Sequence, residues 1–416
     1  MESEIGGTVA ERFLRYVKYD TQSAEDSASY PSTEKQKELG KQLVEELKVL
    51  GAKDASIDGY GYVTGSFAAT NQQKVPVIGL IAHMDTSPEV SGKNVKPLIH
   101  NNFTGADLVL PGDPSQIIRM ADNPELSKKI GNDIITSDGT TLLGADDKAG
   151  VAEIMDCMQY LASHPEIKHG TIKVAFTPDE EVATGVKYFD VTKFGAQYAY
   201  TMDGETIGDV ENENFCADTL RINFHGVPMH PGYAKGKLVN AIKVASTFLD
   251  KLPKNNDSPE TTEKLEGYVH PNTIQGKTDD TTIKFIIRDF SVEGLKKKED
   301  FVRTLAEETV RTYPKSSYSI EVKESYRNMR YVLAKYPQVV EKAMGAVRMA
   351  GMTPRLHSIR GGTDGARLCY KGLPTPNIGT GGHNYHSKTE WISIQDMKKA
   401  VEIIVNLAKV WAHEPD

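Results

Sequence analysis

The run Val75-Pro-Val-Ile-Gly-Leu-Ile-Ala82 carries no charged or hydrogen-bonding side chain and ends on His83-Met84-Asp85. A strand with one wetted face alternates apolar and polar residues. A continuous apolar run of this length belongs to a strand covered on both faces, as in parallel sheets packed between helices. That feature restricts the chain to an α/β architecture. The flanking pattern agrees. Helices are predicted over 8–19 and 33–50, the second capped by Ser32 or Thr33 and stopped at Gly51. Residues 86–140, rich in Gly, Pro, Asn and Asp, read as a long excursion with short hairpins. Val151, Ile154, Met155, Met158 and Leu161 recur at three and four, which predicts a helix over 148–163. Strands are predicted at 171–177, 196–202 and 374–379, and helices at 338–350 and 394–413.

The rhythm changes after residue 212. Strand, helix, two strands around Gly276-Lys-Thr-Asp-Asp280, helix and strand follow one another, the β-α-β-β-α-β order of a ferredoxin-like unit. The expected fold is therefore α/β, a mostly parallel mixed sheet flanked by helices, with an inserted ferredoxin-like α+β domain. The larger domain is discontinuous, 1–214 and 326–416, and the insert spans 215–325. The basic cluster Lys296–Lys298 is read as a solvated helix face.

Composition removes several classes of function. Lys and Arg number 49 against 57 Asp and Glu, a net charge of −8, which opposes binding to nucleic acid through phosphate contacts. No apolar run approaches the roughly 20 residues of a membrane span. The first residues, Met-Glu-Ser-Glu-Ile-Gly-Gly, lack the basic and apolar regions of a secretory signal. Cys157, Cys216 and Cys369 are far apart and form no C-x-x-C, so a cytoplasmic, reducing setting is expected.

The chemistry-bearing residues cluster at predicted strand ends and helix starts. They are His83-Met-Asp85, Gly144-Ala-Asp146-Asp147, Pro178-Asp-Glu180-Glu181, Asp203-Gly-Glu205 and Gly381-Gly-His383-Asn-Tyr-His386. In open α/β sheets the carboxyl ends of the strands are where ligands bind. Any one of these segments alone reads as a solvated turn or a dipole-complementing helix start. Five together, nearly all His, Asp or Glu, point to a cation. Imidazole and carboxylate without thiolate suit zinc, cobalt or manganese. The set exceeds one catalytic zinc and matches two ions sharing a carboxylate. The H-x-D spacing lets His83 ligate while Asp85 orients it. Adjacent glutamates on extended backbone point to opposite sides, so one can ligate while the other faces substrate as a base. No P-loop, H-E-x-x-H or G-x-S-x-G motif is present.

The segments IAHMDT (81–86), LGADDKAG (143–150), PDEE (178–181), YTMDG (200–204), IRGGTDG (359–365) and NYHSKTEW (384–391) resemble the co-catalytic di-zinc peptidases that include carboxypeptidase G and aminoacylase-like enzymes. The likeness spans essentially the whole chain and is strongest to that family's tripeptide-hydrolysing aminopeptidases. It implies His83 and Asp203 on one zinc, Glu181 and His386 on the other, and Asp146 bridging them. It also implies Asp85 orienting His83, Glu180 as general base, and a cis peptide between Asp146 and Asp147. His386 rather than His383 takes the ligand position of the Tyr-His-Ser step. The insert resembles a lid or dimerisation domain, which implies a homodimer. Within it His230 and, with less support, Asn240 and Arg288 are substrate-binding candidates, as is Arg360 before the Gly-Gly-Thr-Asp loop. The implied substrates are short peptides, chiefly tripeptides. A dipeptidase, carboxypeptidase or deacylase with the same metals remains the nearest alternative, and a non-catalytic peptide-binding protein the more distant one.

Overall fold

The computed structural model describes residues 9–413; the predicted start of the first helix at residue 8 and the leading Met-Glu-Ser-Glu-Ile-Gly-Gly lie outside them. Eight strands form the main sheet. From one edge the order is Ser56–Ile57, Val63–Phe67, Ile172–Thr177, Ile78–His83, Tyr198–Gly204, Asn377–Gly379, Asp209–Asn214 and Arg355–Ile359. The four strands from Ile172–Thr177 to Asn377–Gly379 run parallel to their neighbours, whereas Val63–Phe67 and Asp209–Asn214 join antiparallel. The apolar run thus becomes a central strand, buried at every position of Ile78–His83. Its first three residues, Val75 to Val77, precede the ladder.

Helices cover the sheet where the 3.6-residue pattern placed them. Ala145–Ser163 is almost wholly buried, and Ile394–Trp411 buries Met397, Ala400, Val401, Ile404 and Ala408. Gln36–Val49 ends before Gly51, whose φ of +99° suits glycine. Its start differs from expectation. The helix begins three residues later with no side-chain cap, because Ser32 bonds Asp179 and Thr33 bonds the Gln22 carbonyl. The excursion 86–140 does contain short hairpins, but two of its strands join a second sheet ordered Gly382–His383, Trp391–Ser393, Ile134–Thr136 and Leu98–His100.

The chain divides into two compact units, 1–212 with 331–357 and 363–416, and 213–330 with 358–362. The second unit holds an antiparallel sheet ordered Tyr268–Gly276, Asp280–Asp289, Cys216–His225 and Ser317–Tyr326. Helices Ala241–Asp250 and Val292–Arg311 pack Val244, Phe248, Leu295 and Val302 against Ile222, Phe224, Ile283 and Phe285. Asn240 and Ser291 cap these helices by accepting from the N–H of Ile242 and Gly294. All three cysteines are buried and unbridged. Among the described residues no helix is long and apolar enough to cross a membrane.

Candidate metal centre

The predicted ligands converge in the first unit from the ends of three parallel strands, one helix start and one loop. His83 ends Ile78–His83, Glu181 lies four residues beyond Ile172–Thr177, and Asp203 is the penultimate residue of Tyr198–Gly204. Asp146 stands at the start of Ala145–Ser163, where Asp146 and Asp147 leave helical geometry and are joined by a cis peptide. His386 sits on the loop between Gly382–His383 and Trp391–Ser393, with φ of +59°.

Asp146 is the centre of the arrangement. His83 Nε2 lies 2.9 Å from its Oδ1, and His386 Nε2 lies 3.2 Å from its Oδ2. Asp203 Oδ1 is 3.4 Å from His83 Nε2, and Glu181 Oε2 is 2.8 Å from His386 Nε2. Two triads result, His83–Asp146–Asp203 and Asp146–Glu181–His386, each with its ligand atoms within 4.8 Å of one another. They share only Asp146.

The surrounding backbone aims these groups. Asp85 is fully buried; its Oδ1 lies 3.4 Å from His83 Nδ1 and accepts the Glu180 N–H at 3.0 Å, while its Oδ2 accepts the Glu181 N–H at 3.2 Å. The Asp85 carbonyl, 3.1 Å from His83 Nδ1, turns His83 Nε2 inward, while the Asp85 carboxylate fixes the paired glutamates. Asp147 Oδ2 accepts the His83 N–H at 3.1 Å. Asp179 takes a left-handed φ of +56° and is anchored by the Ser32 N–H and Gln36 Nε2 at 2.6 and 2.7 Å.

Proton affinities record the crowding of charge. Burial opposes charging His83, but the Asp203 carboxylate and the bond to Asp146 outweigh it and hold the ring well above its ordinary pKa. Burial likewise opposes His386, yet its bonds to Asp146 and Glu181 push it up to about 11. Burial and then the charge of Asp146 raise Glu181 to about 8. Burial and then the charge of Asp203 push Glu180 well above the carboxylate range. Asp146 goes the other way, since its bonds from His386 and His83 overcome burial.

The residues fit divalent cations. Carboxylates outnumber imidazoles, no thiolate is present, and Glu181 Oε1 is buried without a hydrogen-bond partner among the described residues. His383 stands apart from both triads. Its Nδ1 lies 3.2 Å from Glu205 Oε1, and its ring stacks on Trp391 at 4.4 Å.

The remaining candidates belong to the second unit and have partners there. His230 Nδ1 accepts from the Gly232 N–H at 3.2 Å. Asn240 is a helix cap, and Arg288 lies over the Tyr326 ring at 5.3 Å. Arg360 donates to the Lys264 and Glu266 carbonyls at 2.8 Å and lies over Phe215 at 5.1 Å. One further buried carboxylate, Glu390, borders the site and carries no role in the sequence pattern. It accepts from the backbone of the loop bearing Asp146. A charged residue directly before the apolar Trp391-Ile392 was the available signal.

Comparison with known proteins agrees with this geometry. Peptidase T from Caldanaerobacter subterraneus subsp. tengcongensis is 47% identical over 403 residues, 97% of this chain and 98% of that protein. The crystal structure of aminopeptidase PepT from Bacillus cereus superposes with a TM-score of 0.75 at 24% identity, over 97% of each chain. A tripeptidase from Staphylococcus aureus does so with a TM-score of 0.76 at 21% identity, over 100% of this chain and 99% of that one. At those identities the two structures speak for the fold. The model of peptidase family M20/M25/M40 matches residues 139–410, and with the 47% relative it shows that the chain belongs to that family of peptide-bond hydrolases.

Proposed function

We propose that this chain is a metal-dependent aminopeptidase that removes the N-terminal residue from tripeptides in the cytoplasm. The observation that carries the reading is Asp146, whose two oxygens each face a different histidine–carboxylate pair. His83, Asp146 and Asp203 would hold one ion, and Asp146, Glu181 and His386 the other. Zinc is the expected metal, with cobalt or manganese as substitutes. Bound there, the pair supplies Lewis acidity and lowers the pKa of a water toward about 7.

The chain's own groups do the rest. Glu180 takes a proton on its carboxylate and returns it to the leaving amine, acting first as general base and then as general acid. Asp85 keeps Glu180 and Glu181 in register through their backbone N–H groups. The stretches 1–214 and 326–416 serve as the catalytic domain. The insert 215–325 serves as lid and homodimer contact, with His230, Asn240 and Arg288 as substrate-holding groups; Arg360, beyond that stretch in sequence but within the second compact unit, serves with them. The names of the relatives, a peptidase T, an aminopeptidase and a tripeptidase, support this choice of substrate.

The test measures metal content and turnover of a free tripeptide, its N-acetyl form and a dipeptide. The expected result is two ions per chain, cleavage of the free tripeptide alone, and loss of activity on chelation that zinc, cobalt or manganese restores. Glu180→Gln should keep both ions and lose about 10²–10⁴-fold in kcat. Equal cleavage of the N-acetyl peptide, or full activity without metal, would refute the reading.

A further inference from the structure

We infer that Glu390 is a positioning residue for the dinuclear site, holding the loop of Asp146 and the loop of His386 in mutual register. The inference rests on the two-ion reading above. Glu390 is 1% exposed. Its Oε2 accepts the N–H groups of Leu143 and Gly144, each at 2.7 Å, and its Oε1 accepts the N–H of Asp146 at 3.0 Å. Three backbone donors from four consecutive residues therefore close on one carboxylate. Gly144, at φ +84°, supplies the left-handed turn that points successive N–H groups at a common anion.

The other side of this contact is also fixed. Glu390 directly precedes Trp391–Ser393, which pairs with Ile134–Thr136 and with Gly382–His383. The loop between them, which carries His386, is closed on itself. Asn384 Nδ2 donates to the Thr389 carbonyl at 3.1 Å, Ser387 Oγ to the Asn384 carbonyl at 2.7 Å, and the Thr389 N–H to Ser387 Oγ at 3.2 Å. Glu390 is thus the link from a rigid loop bearing one ligand to the loop bearing the shared ligand. Because Asp146 belongs to both triads, loosening this link disturbs both ions together. Loss of a ligand unique to one triad, such as His83 or Glu181, disturbs one.

The experiment titrates metal-free wild type, Glu390→Gln and Glu390→Ala with cobalt(II), following its visible absorption below the thermal midpoint of each folded protein. Gln keeps the shape and one carbonyl acceptor but faces a donor with its NH2 group; Ala leaves three buried N–H groups without their acceptor. The expected result is two binding phases in wild type, both weakened by about 10–100-fold in Glu390→Gln. KM should be unchanged at saturating metal, since Glu390 does not touch substrate. Should Ala fail to fold, the Gln variant carries the test. Wild-type affinity for both ions in Glu390→Gln, with only a lowered thermal midpoint, would make the residue structural and overturn the inference. Weakening of a single ion would overturn it as well. Wild type that binds fewer than two ions would instead overturn the two-ion reading, and this inference with it.

Discussion

Gly150 offers a test in which two physical effects have opposite signs. It lies inside the buried helix Ala145–Ser163, four residues after Asp146. Helix propensity alone says that Gly150→Ala stabilises by about 0.5–1 kcal/mol. The structure says otherwise. A Cβ on Gly150 would stand 2.0 Å from the Met202 carbonyl oxygen, 2.5 Å from Asp147 Oδ1 and 3.0 Å from Met202 Cβ. Comfortable heavy-atom contacts begin near about 3–3.5 Å, so relief requires the helix start and the strand bearing Asp203 to part by roughly 1–1.5 Å. The nearest atom is backbone, which cannot rotate away. Overpacking of this kind costs about 1–3 kcal/mol, and more when backbone must move, so the clash outweighs the propensity gain. A net cost of about 2 kcal/mol lowers the thermal midpoint of a unit of this size by about 3 °C. The same displacement separates Asp146 from Asp203 and His83, whereas metal sites tolerate only about 0.2 Å in ligand distance. Thermal unfolding of the metal-free chain and elemental analysis of the loaded one read the two consequences separately. A Gly150→Ala protein with a raised midpoint and a full metal complement would refute the packing argument.

Two further perturbations test other parts of the structure. Glu153 is fully buried, neither carboxylate oxygen has a hydrogen-bond partner among the described residues, and burial followed by the charge of Asp396 raises its pKa well above the ordinary value. The folded chain therefore keeps a proton that the unfolded chain loses near pH ~4.5, so this residue's contribution falls as pH rises by up to about 1.4 kcal/mol per unit. Glu153→Gln should gain midpoint over wild type progressively from pH 5 to 7.5; an equal difference at both pH values counts against the buried-carboxyl account. For the two histidines of Gly381-Gly-His-Asn-Tyr-His386, His386→Ala should lower the metal content below that of wild type, while His383→Ala should retain it. The reverse pattern by elemental analysis would exchange their roles.

How much of this was legible beforehand depended on range. The parallel strands, their helices and the ferredoxin-like order of the second unit were readable because buried strands and amphipathic helices impress their periods on neighbouring residues. The ligand-bearing segments were readable because strand ends carrying His and acidic side chains recur in that pattern. The cap of Gln36–Val49 was not. Ser32 and Thr33 are good capping residues, but Asp179, almost 150 positions away, competes for Ser32 and wins. The small sheet that joins Ile134–Thr136 to Trp391–Ser393 was invisible for the same reason, since three-residue strands leave no measurable period.

By itself, then, the sequence determined the parallel strands, the long helices, the layer architecture and the inventory of imidazoles and carboxylates, because those are set by local pattern and residue chemistry. Only the tertiary structure decided which oxygen of Asp146 meets which histidine, that the Asp85 carboxylate also accepts from both glutamates, and that Glu390 grips the loop of Asp146. These are contacts between residues tens to hundreds of positions apart, and no periodicity along a chain encodes a distance through space.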